Sequence, residues 1–130
     1  MGESTAETRT VLVVDDSDDI RELIRLILQM RGCLVVEATN GANAVEIARQ
    51  VNPNLILMDL SMPVLDGYEA TRQIKALPAL SGIPVVAVSA FCDLHNRDKA
   101  IAAGCVECIN KPINFGDIGS VVERYLHVAG

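Results

Sequence analysis

Asn54-Leu-Ile-Leu-Met58 runs straight into Asp59, and the reading of that stretch decides the fold. A continuous apolar run of strand length is what a strand buried on both faces looks like. Three other runs end in the same manner. Thr10-Val-Leu-Val-Val14 leads into Asp15-Asp16, Ile83-Pro-Val-Val-Ala-Val88 into Ser89, and Cys105-Val-Glu-Cys-Ile-Asn110 into Lys111-Pro112. As parallel strands of one sheet, these runs gather three carboxylates, a hydroxyl and an ammonium beyond their carboxyl ends. Open α/β sheets place their ligands at that edge. The pattern predicts phosphoryl chemistry with a divalent metal.

Helical spacing fills the intervals. Ile20, Leu23, Ile24, Ile27 and Leu28 predict a helix from 17 or 18 to 31, ended by Gly32. A short strand follows near 34–37, with a turn at Asn40-Gly41. Ala44, Val45, Ala48 and Val51 mark a second helix, stopped by Asn52-Pro53. Ala70, Ile74 and Leu77 mark a third, closed by Pro78. A fourth, with a thin apolar face of Ala100, Ile101 and Ala103, spans about 94–103 and ends at Gly104. The fifth carries Ile118, Val121, Val122, Tyr125 and Leu126, with Asn114 as its cap. Strand and helix alternate throughout, which predicts a three-layer (βα)₅ α/β fold with a doubly wound parallel sheet. Residues 1–8 read as a disordered tail before one domain over 9–130.

Composition narrows the function. The 130 residues fit one domain, and half of them are apolar with no Trp, so the core is aliphatic. A net charge of −6 argues against nucleic acid and anionic membranes. No apolar stretch approaches the ~18 residues of a membrane helix. The polar N-terminus has no signal-peptide segment, so the expected compartment is the cytoplasm, with Cys33, Cys92, Cys105 and Cys108 reduced. Cys105-Val-Glu-Cys108 is formally a CxxC. On a strand, though, residues three apart point to opposite faces, and small core-filling residues are the expected reading.

Asp15, Asp16 and Asp59 brought together repel one another unless a cation neutralises them. Oxygen donors in this number suit Mg²⁺, which shares phosphate oxygens readily. Asp18 and Asp19 have a simpler role in a first helical turn, where the dipole favours negative charge. A carboxylate can also attack phosphorus, and Asp59, at a strand end opening into a loop, is the candidate nucleophile. Lys111 supplies a point charge for phosphoryl oxygens and Ser89 a hydroxyl. No GxxxxGK[ST] or GxGxxG loop is present, so the phosphoryl group comes from another molecule. His95 and His127 are expected at the surface, and neither is needed as a base.

These residues resemble the receiver domain of two-component response regulators, the single-domain chemotaxis type included. The resemblance covers roughly residues 9–128 and rests on Val13-Val-Asp-Asp16, Leu57-Met-Asp-Leu-Ser-Met-Pro-Val-Leu-Asp-Gly67, Ala87-Val-Ser-Ala90 and Lys111-Pro112. It implies the flavodoxin-like strand order 2-1-3-4-5. It also implies that Asp59 takes a phosphoryl group from a histidine kinase or a histidine phosphotransfer protein. Mg²⁺ would be bound by Asp16 directly, by Asp15 mainly through water, and by Asp59 and the main-chain carbonyl of Ser61. Ser89 and Lys111 would grip the phosphoryl oxygens, and Lys111-Pro112 is often a cis peptide in the family. Output would pass to a protein target by a shift between conformations, through the face of the fourth helix, fifth strand and fifth helix.

Two departures from the family pattern stand out. Cys108 stands where Tyr or Phe usually acts as a rotamer switch, so the readout on the last strand must differ or be muted. Ser61 and Phe91 occupy the positions that tune hydrolysis, and a bulky Phe91 predicts a long-lived phosphoryl group. Three rival readings remain at this level. A small Mg²⁺-dependent aspartyl-phosphate phosphatase is suggested by Asp16-Ser-Asp18, although Ile20 replaces the preferred Thr and no cap segment is seen. A degenerate receiver would serve as a binding platform, and a CxxC redox role is the third.

Overall fold

The computed structural model describes residues 9–62 and 65–126. Five strands and five helices alternate: β1 (Thr10–Val14), α1 (Asp18–Met30), β2 (Leu34–Ala38), α2 (Gly41–Val51), β3 (Leu55–Asp59), α3 (Gly67–Ala76), β4 (Val85–Ser89), α4 (Leu94–Ala103), β5 (Glu107–Asn110) and α5 (Phe115–Leu126). All neighbouring strands pair in parallel, in the order β2-β1-β3-β4-β5, which is the expected order. The expected tail over 1–8 lies outside the described residues, as do Pro63 and Val64 of the third-strand motif and His127.

Strand alternation builds two cores. Leu12, Val14, Ile56, Met58, Val85 and Ala87 face one side, packed with Ala44 and Ala48 of α2, Ala70 and Ile74 of α3, and Ala100 of α4. Val11, Val13, Leu55, Leu57, Val86 and Val88 face the other, under Ile24, Ile27 and Leu28 of α1 and Ile118, Val121 and Val122 of α5. Because consecutive side chains point to opposite faces, a strand in the middle of the sheet must be apolar at every position. Each burying of a Leu, Ile or Val side chain stabilises the fold by about 1.5–3 kcal/mol before entropy is counted.

Local chemistry fixes the helix ends. The side chains of Ser17, Asn40, Asp66 and Asp93 accept the backbone N–H of Ile20, Asn43, Glu69 and Asn96. Asn114 does the same for Asp117, at 2.9 Å. Such caps satisfy N–H groups that have no partner inside the helix. Gly104 closes α4 at φ +119°, a conformation that side chains disfavour.

Boundaries differ from expectation in two strands, for reasons of hydrogen bonding. β4 begins at Val85 and not at 83: the N–H of Ile83 turns back to Leu80, and Pro84 offers only its carbonyl, which Ile56 reaches at 3.0 Å. β5 begins at Glu107 because the N–H of Cys105 is still bonded to Ala100 at the end of α4. α3 stops at Ala76, with Leu77 as its cap. Three apolar residues assigned to helix faces, Leu23, Val51 and Ile101, are exposed. α4 therefore buries only Ala100 and Ala103, the thinnest anchorage of the five helices.

Candidate functional site at the carboxyl edge of the sheet

β1 and β3 lie side by side, with Val14 opposite Met58, so the residues that follow them emerge together. Asp15 and Asp59 are each only 2 % exposed, while Asp16 faces solvent. One carboxylate oxygen from each of the three lies within 4.8 Å of the others. Lys111, following β5, sets its ammonium 3.1 Å from Asp15 Oδ2 and 3.5 Å from Asp59 Oδ1. The acidic trio and the lysine of the sequence reading thus form one cluster.

Backbone contacts hold these groups in place. Asp15 Oδ1 accepts the N–H of Ser17 at 2.8 Å, which ties the carboxylate to the entry of α1. Asp59 Oδ1 accepts the N–H of Ser61 at 3.1 Å. The N–H of Leu60 reaches Val88 O, that of Gly67 reaches Leu60 O, and that of Lys111 reaches Ser89 O at 2.8 Å. Gly67 is required here, since a Cβ would sit 2.2 Å from the Asp59 carbonyl oxygen. The Lys111–Pro112 peptide is cis, in keeping with the resemblance.

Electrostatics separate the partners. Burial pushes the Asp59 carboxyl up, and repulsion from Asp15 and Asp16 adds to it, against the Ser61 N–H and Lys111, which favour the charged form. Burial pulls the Lys111 ammonium down, but the bond to Asp15 and the attraction of Asp15 and Asp59 outweigh it, and its net shift is upward. One lysine cannot neutralise three carboxylates, so the cluster is short of positive charge. A set of oxygen donors this close, with a buried pair at its base, fits a small hard cation.

Ser89 is engaged within its own loop. Its Oγ accepts the N–H of Phe91 at 3.1 Å and is 3.4 Å from the Phe91 carbonyl, so it is turned into its own loop. Phe91 is 71 % exposed, with its carbonyl held by the Asn96 side chain. Ser61 is exposed beside Asp59. His95, as expected, is at the surface.

The cysteines correct one expectation. Cys92 and Cys108 are joined by a disulfide, so two of the four are not reduced, and the Cys105-x-x-Cys108 pair is not bonded to itself. Cys105 instead lies buried against the Thr71 hydroxyl, and Cys33 is buried and free. Cys92 is on the β4–α4 loop, and no spacing in the sequence pairs it with a residue on the last strand.

Arg21 was also missed. It is buried in α1, donates to the Asp15 carbonyl at 2.7 Å and to Glu37 at 3.0 Å, and pairs with Asp18. A signal for it existed: position 21 falls one turn before Ile24 and two before Leu28, inside the apolar stripe. Arginine there needs anionic or carbonyl partners.

Comparison with known proteins gives this geometry its context. A family model described as the response regulator receiver domain matches residues 11–123. The polar-differentiation response regulator DivK of Brucella ovis is 32% identical over 119 residues, covering 92% of this chain and 97% of that protein. Among solved structures, chemotaxis protein CheY4 of Vibrio cholerae superposes with a TM-score of 0.87 at 25% identity, over 92% of this chain and 99% of that one. The receiver domain of a sensor histidine kinase from Pseudomonas aeruginosa, with a magnesium ion coordinated in its active-site cleft, has a TM-score of 0.86 at 29% identity. That match covers 93% of this chain and 99% of the other. These similarities favour the receiver over the rival hydrolase reading of Asp16-Ser-Asp18. With its sheet order, its edge of acids and lysine and its match over nearly the whole described length, the chain belongs to the response regulator receiver domain family, the phospho-accepting receivers of two-component signalling.

Proposed function

We propose that Asp59 is the acceptor, taking its phosphoryl group from a phosphohistidine on a histidine kinase or a histidine phosphotransfer protein. The observation that carries this reading is the position of Asp59. It is buried at a strand end, its carboxylate is within 4.8 Å of Asp15 and Asp16, and its Oδ1 is 3.5 Å from the Lys111 ammonium. An Asp59 oxygen attacks phosphorus, the phosphorus–nitrogen bond to the donor imidazole breaks, and the imidazole leaves with the electron pair. Negative charge accumulates on the phosphoryl oxygens, and Lys111 is placed to accept them as partners.

Mg²⁺ is the cation this donor set suits, and Asp15, Asp16, Asp59 and the Ser61 carbonyl are the residues that would hold it. When bound it supplies the positive charge that three carboxylates and a phosphoryl group otherwise lack. Asp15 is fixed for that task by Ser17 and by Arg21 on its carbonyl. Ser89 must leave its turn with Phe91 to bond the phosphoryl group, and this makes the β4–α4 loop the element that responds. Cys108 replaces the aromatic switch, so loop movement is read out without a ring rotation. Phe91 and Ser61 stand at the positions that set how fast water removes the group.

Output passes by changed affinity for a protein target on the α4–β5–α5 face, where Leu94, Ile101, Val106 and Phe115 are exposed. Among the described residues no helix is long and apolar enough to cross a membrane. The cytoplasm, where phosphohistidine donors act, remains the proposed compartment. The test is intact mass spectrometry after incubation with acetyl phosphate, with and without Mg²⁺, beside Asp59→Asn. The reading requires one added phosphoryl group that depends on Mg²⁺ and is lost in the variant. Incorporation that persists in Asp59→Asn would overturn it.

A further inference from the structure

The Cys92–Cys108 bond lies where the responding loop meets the last strand. Cys92 is three residues after Ser89, in the segment between β4 and α4. Cys108 is three residues before Lys111 and pairs in register with Ala87 of β4. Their Cα atoms are 5.9 Å apart, and the bond spans 16 residues, a ring that contains the whole of α4. A second contact draws the same two segments together, since the N–H of Cys92 donates to Asn110 Oδ1 at 2.8 Å.

α4 has little else to hold it. Ala100 and Ala103 are its only buried side chains, both near its C-terminal end, while Leu94 at its start is exposed. The N-terminal half of α4 is therefore anchored by the disulfide and the Asp93 cap rather than by a core face. A covalent tie matters most where packing is thinnest.

We propose that Cys92 and Cys108 form a reversible thiol–disulfide site. Its oxidised state pins the β4–α4 loop and the start of α4, and its reduced state frees them to rearrange. That this alters phosphoryl acceptance rests on the reading of Asp59 and Ser89 given above; the redox restraint itself does not. The co-reactant is a low-molecular-weight disulfide. One cysteine thiolate attacks a sulfur of that disulfide and releases the first small thiol. The second cysteine thiolate then attacks the mixed disulfide, forming the Cys92–Cys108 bond and releasing the second. Two protons and two electrons leave the protein, and the small disulfide is reduced to two thiols. Cys33 and Cys105 are not part of the exchange: both are buried, and burial pushes both thiols up, away from the reactive thiolate.

The full chain is equilibrated in mixtures of reduced and oxidised glutathione, and free thiols are alkylated and located by mass spectrometry. Hydrogen exchange is followed over residues 90–98, and acetyl phosphate incorporation is measured in each state. The proposal expects Cys92 and Cys108 to lose and regain alkylation together as the ratio changes. Exchange over 90–98 should be at least about tenfold faster in the reduced state, with α1, α2 and α5 unchanged. Incorporation should be faster in the reduced state, and Cys92→Ser should behave as reduced protein in every mixture. A pair that remains alkylatable at all ratios, a bond that recruits Cys33 or Cys105, or equal exchange over 90–98 in both states would overturn it. If neither state accepts a phosphoryl group while exchange over 90–98 still follows the ratio, the acceptor reading fails and the redox restraint stands.

Discussion

Replacing Asp59 by Asn should make the metal-free protein more stable, although it removes the proposed acceptor. The magnitude follows from the cluster. Within 4.8 Å and at an effective dielectric constant of about 20, each carboxylate repels Asp59 by at least about 3.5 kcal/mol before screening, while Lys111 at 3.5 Å attracts it by about 5 kcal/mol. Asp16 is exposed, so water screens part of its share, but the buried charge of Asp59 carries a desolvation cost as well. A net penalty of about 1–2 kcal/mol remains. Asparagine has the same shape and keeps an oxygen for the Ser61 N–H. Asp59→Asn should then raise the thermal midpoint in EDTA at neutral pH by roughly 4 °C for each kcal/mol.

The pH dependence has a definite sign. The folded carboxyl of Asp59 is raised above its unfolded value of about 3.9, so the native state keeps its proton longer than the unfolded chain does. Wild-type protein therefore loses stability relative to Asp59→Asn as pH rises from that unfolded value through the folded one. Below both values the two proteins should be equally stable. Mg²⁺ should reverse the order at neutral pH. A ligand at about one hundred times its dissociation constant stabilises by about 2.7 kcal/mol, and the variant, one charge poorer, gains less. Denaturation in EDTA and in Mg²⁺, from pH 3 to pH 8, measures all of this. An Asp59→Asn protein less stable than wild type in EDTA at neutral pH would refute the reasoning, because Lys111 would then outweigh both carboxylates.

Three other substitutions test separate parts of the account. Gly67→Ala places a methyl group against the Asp59 carbonyl and Leu60 Cα, both backbone, and should cost about 1–3 kcal/mol in urea denaturation while slowing phosphoryl incorporation. Arg21→Met strips the Asp15 carbonyl of its donor and Glu37 of one of its two arginine partners and should cost about 2–3 kcal/mol, with weaker Mg²⁺ binding by calorimetry. Phe91→Ala should shorten the lifetime of the phosphoryl group without lowering stability, because the ring is exposed; an unchanged decay rate would remove Phe91 from the hydrolysis argument.

The architecture was legible in the sequence because each central strand is buried on both faces and each ends on a chemically distinctive residue. Leu55 to Met58 could only be a two-faced strand, and Asp59 had to emerge at its carboxyl end. The parts that could not be read depend on contacts distant in sequence. β5 starts two residues late because α4 still claims the Cys105 N–H, a competition that no local pattern records. The Cys92–Cys108 bond joins a loop to a strand, a pairing that neither the Cys105-x-x-Cys108 spacing nor the expectation of reduced, core-filling cysteines records. Ser89 does end its strand, but its hydroxyl is engaged in the turn with Phe91, since a short side chain follows its loop. Arg21 was hidden by its type: a charged residue within an apolar stripe passes for a surface position until its partners are seen.

The central claim is that Asp59, and no other carboxylate of the cluster, carries the phosphoryl group. Borohydride reduces an acyl phosphate to the alcohol, so the phosphorylated protein would be treated with borohydride, digested and mapped by peptide mass spectrometry. The account predicts conversion to homoserine at position 59, dependent on Mg²⁺ during phosphorylation, with Asp15 and Asp16 intact. Homoserine at Asp15 or Asp16, with Asp59 unchanged, would contradict it.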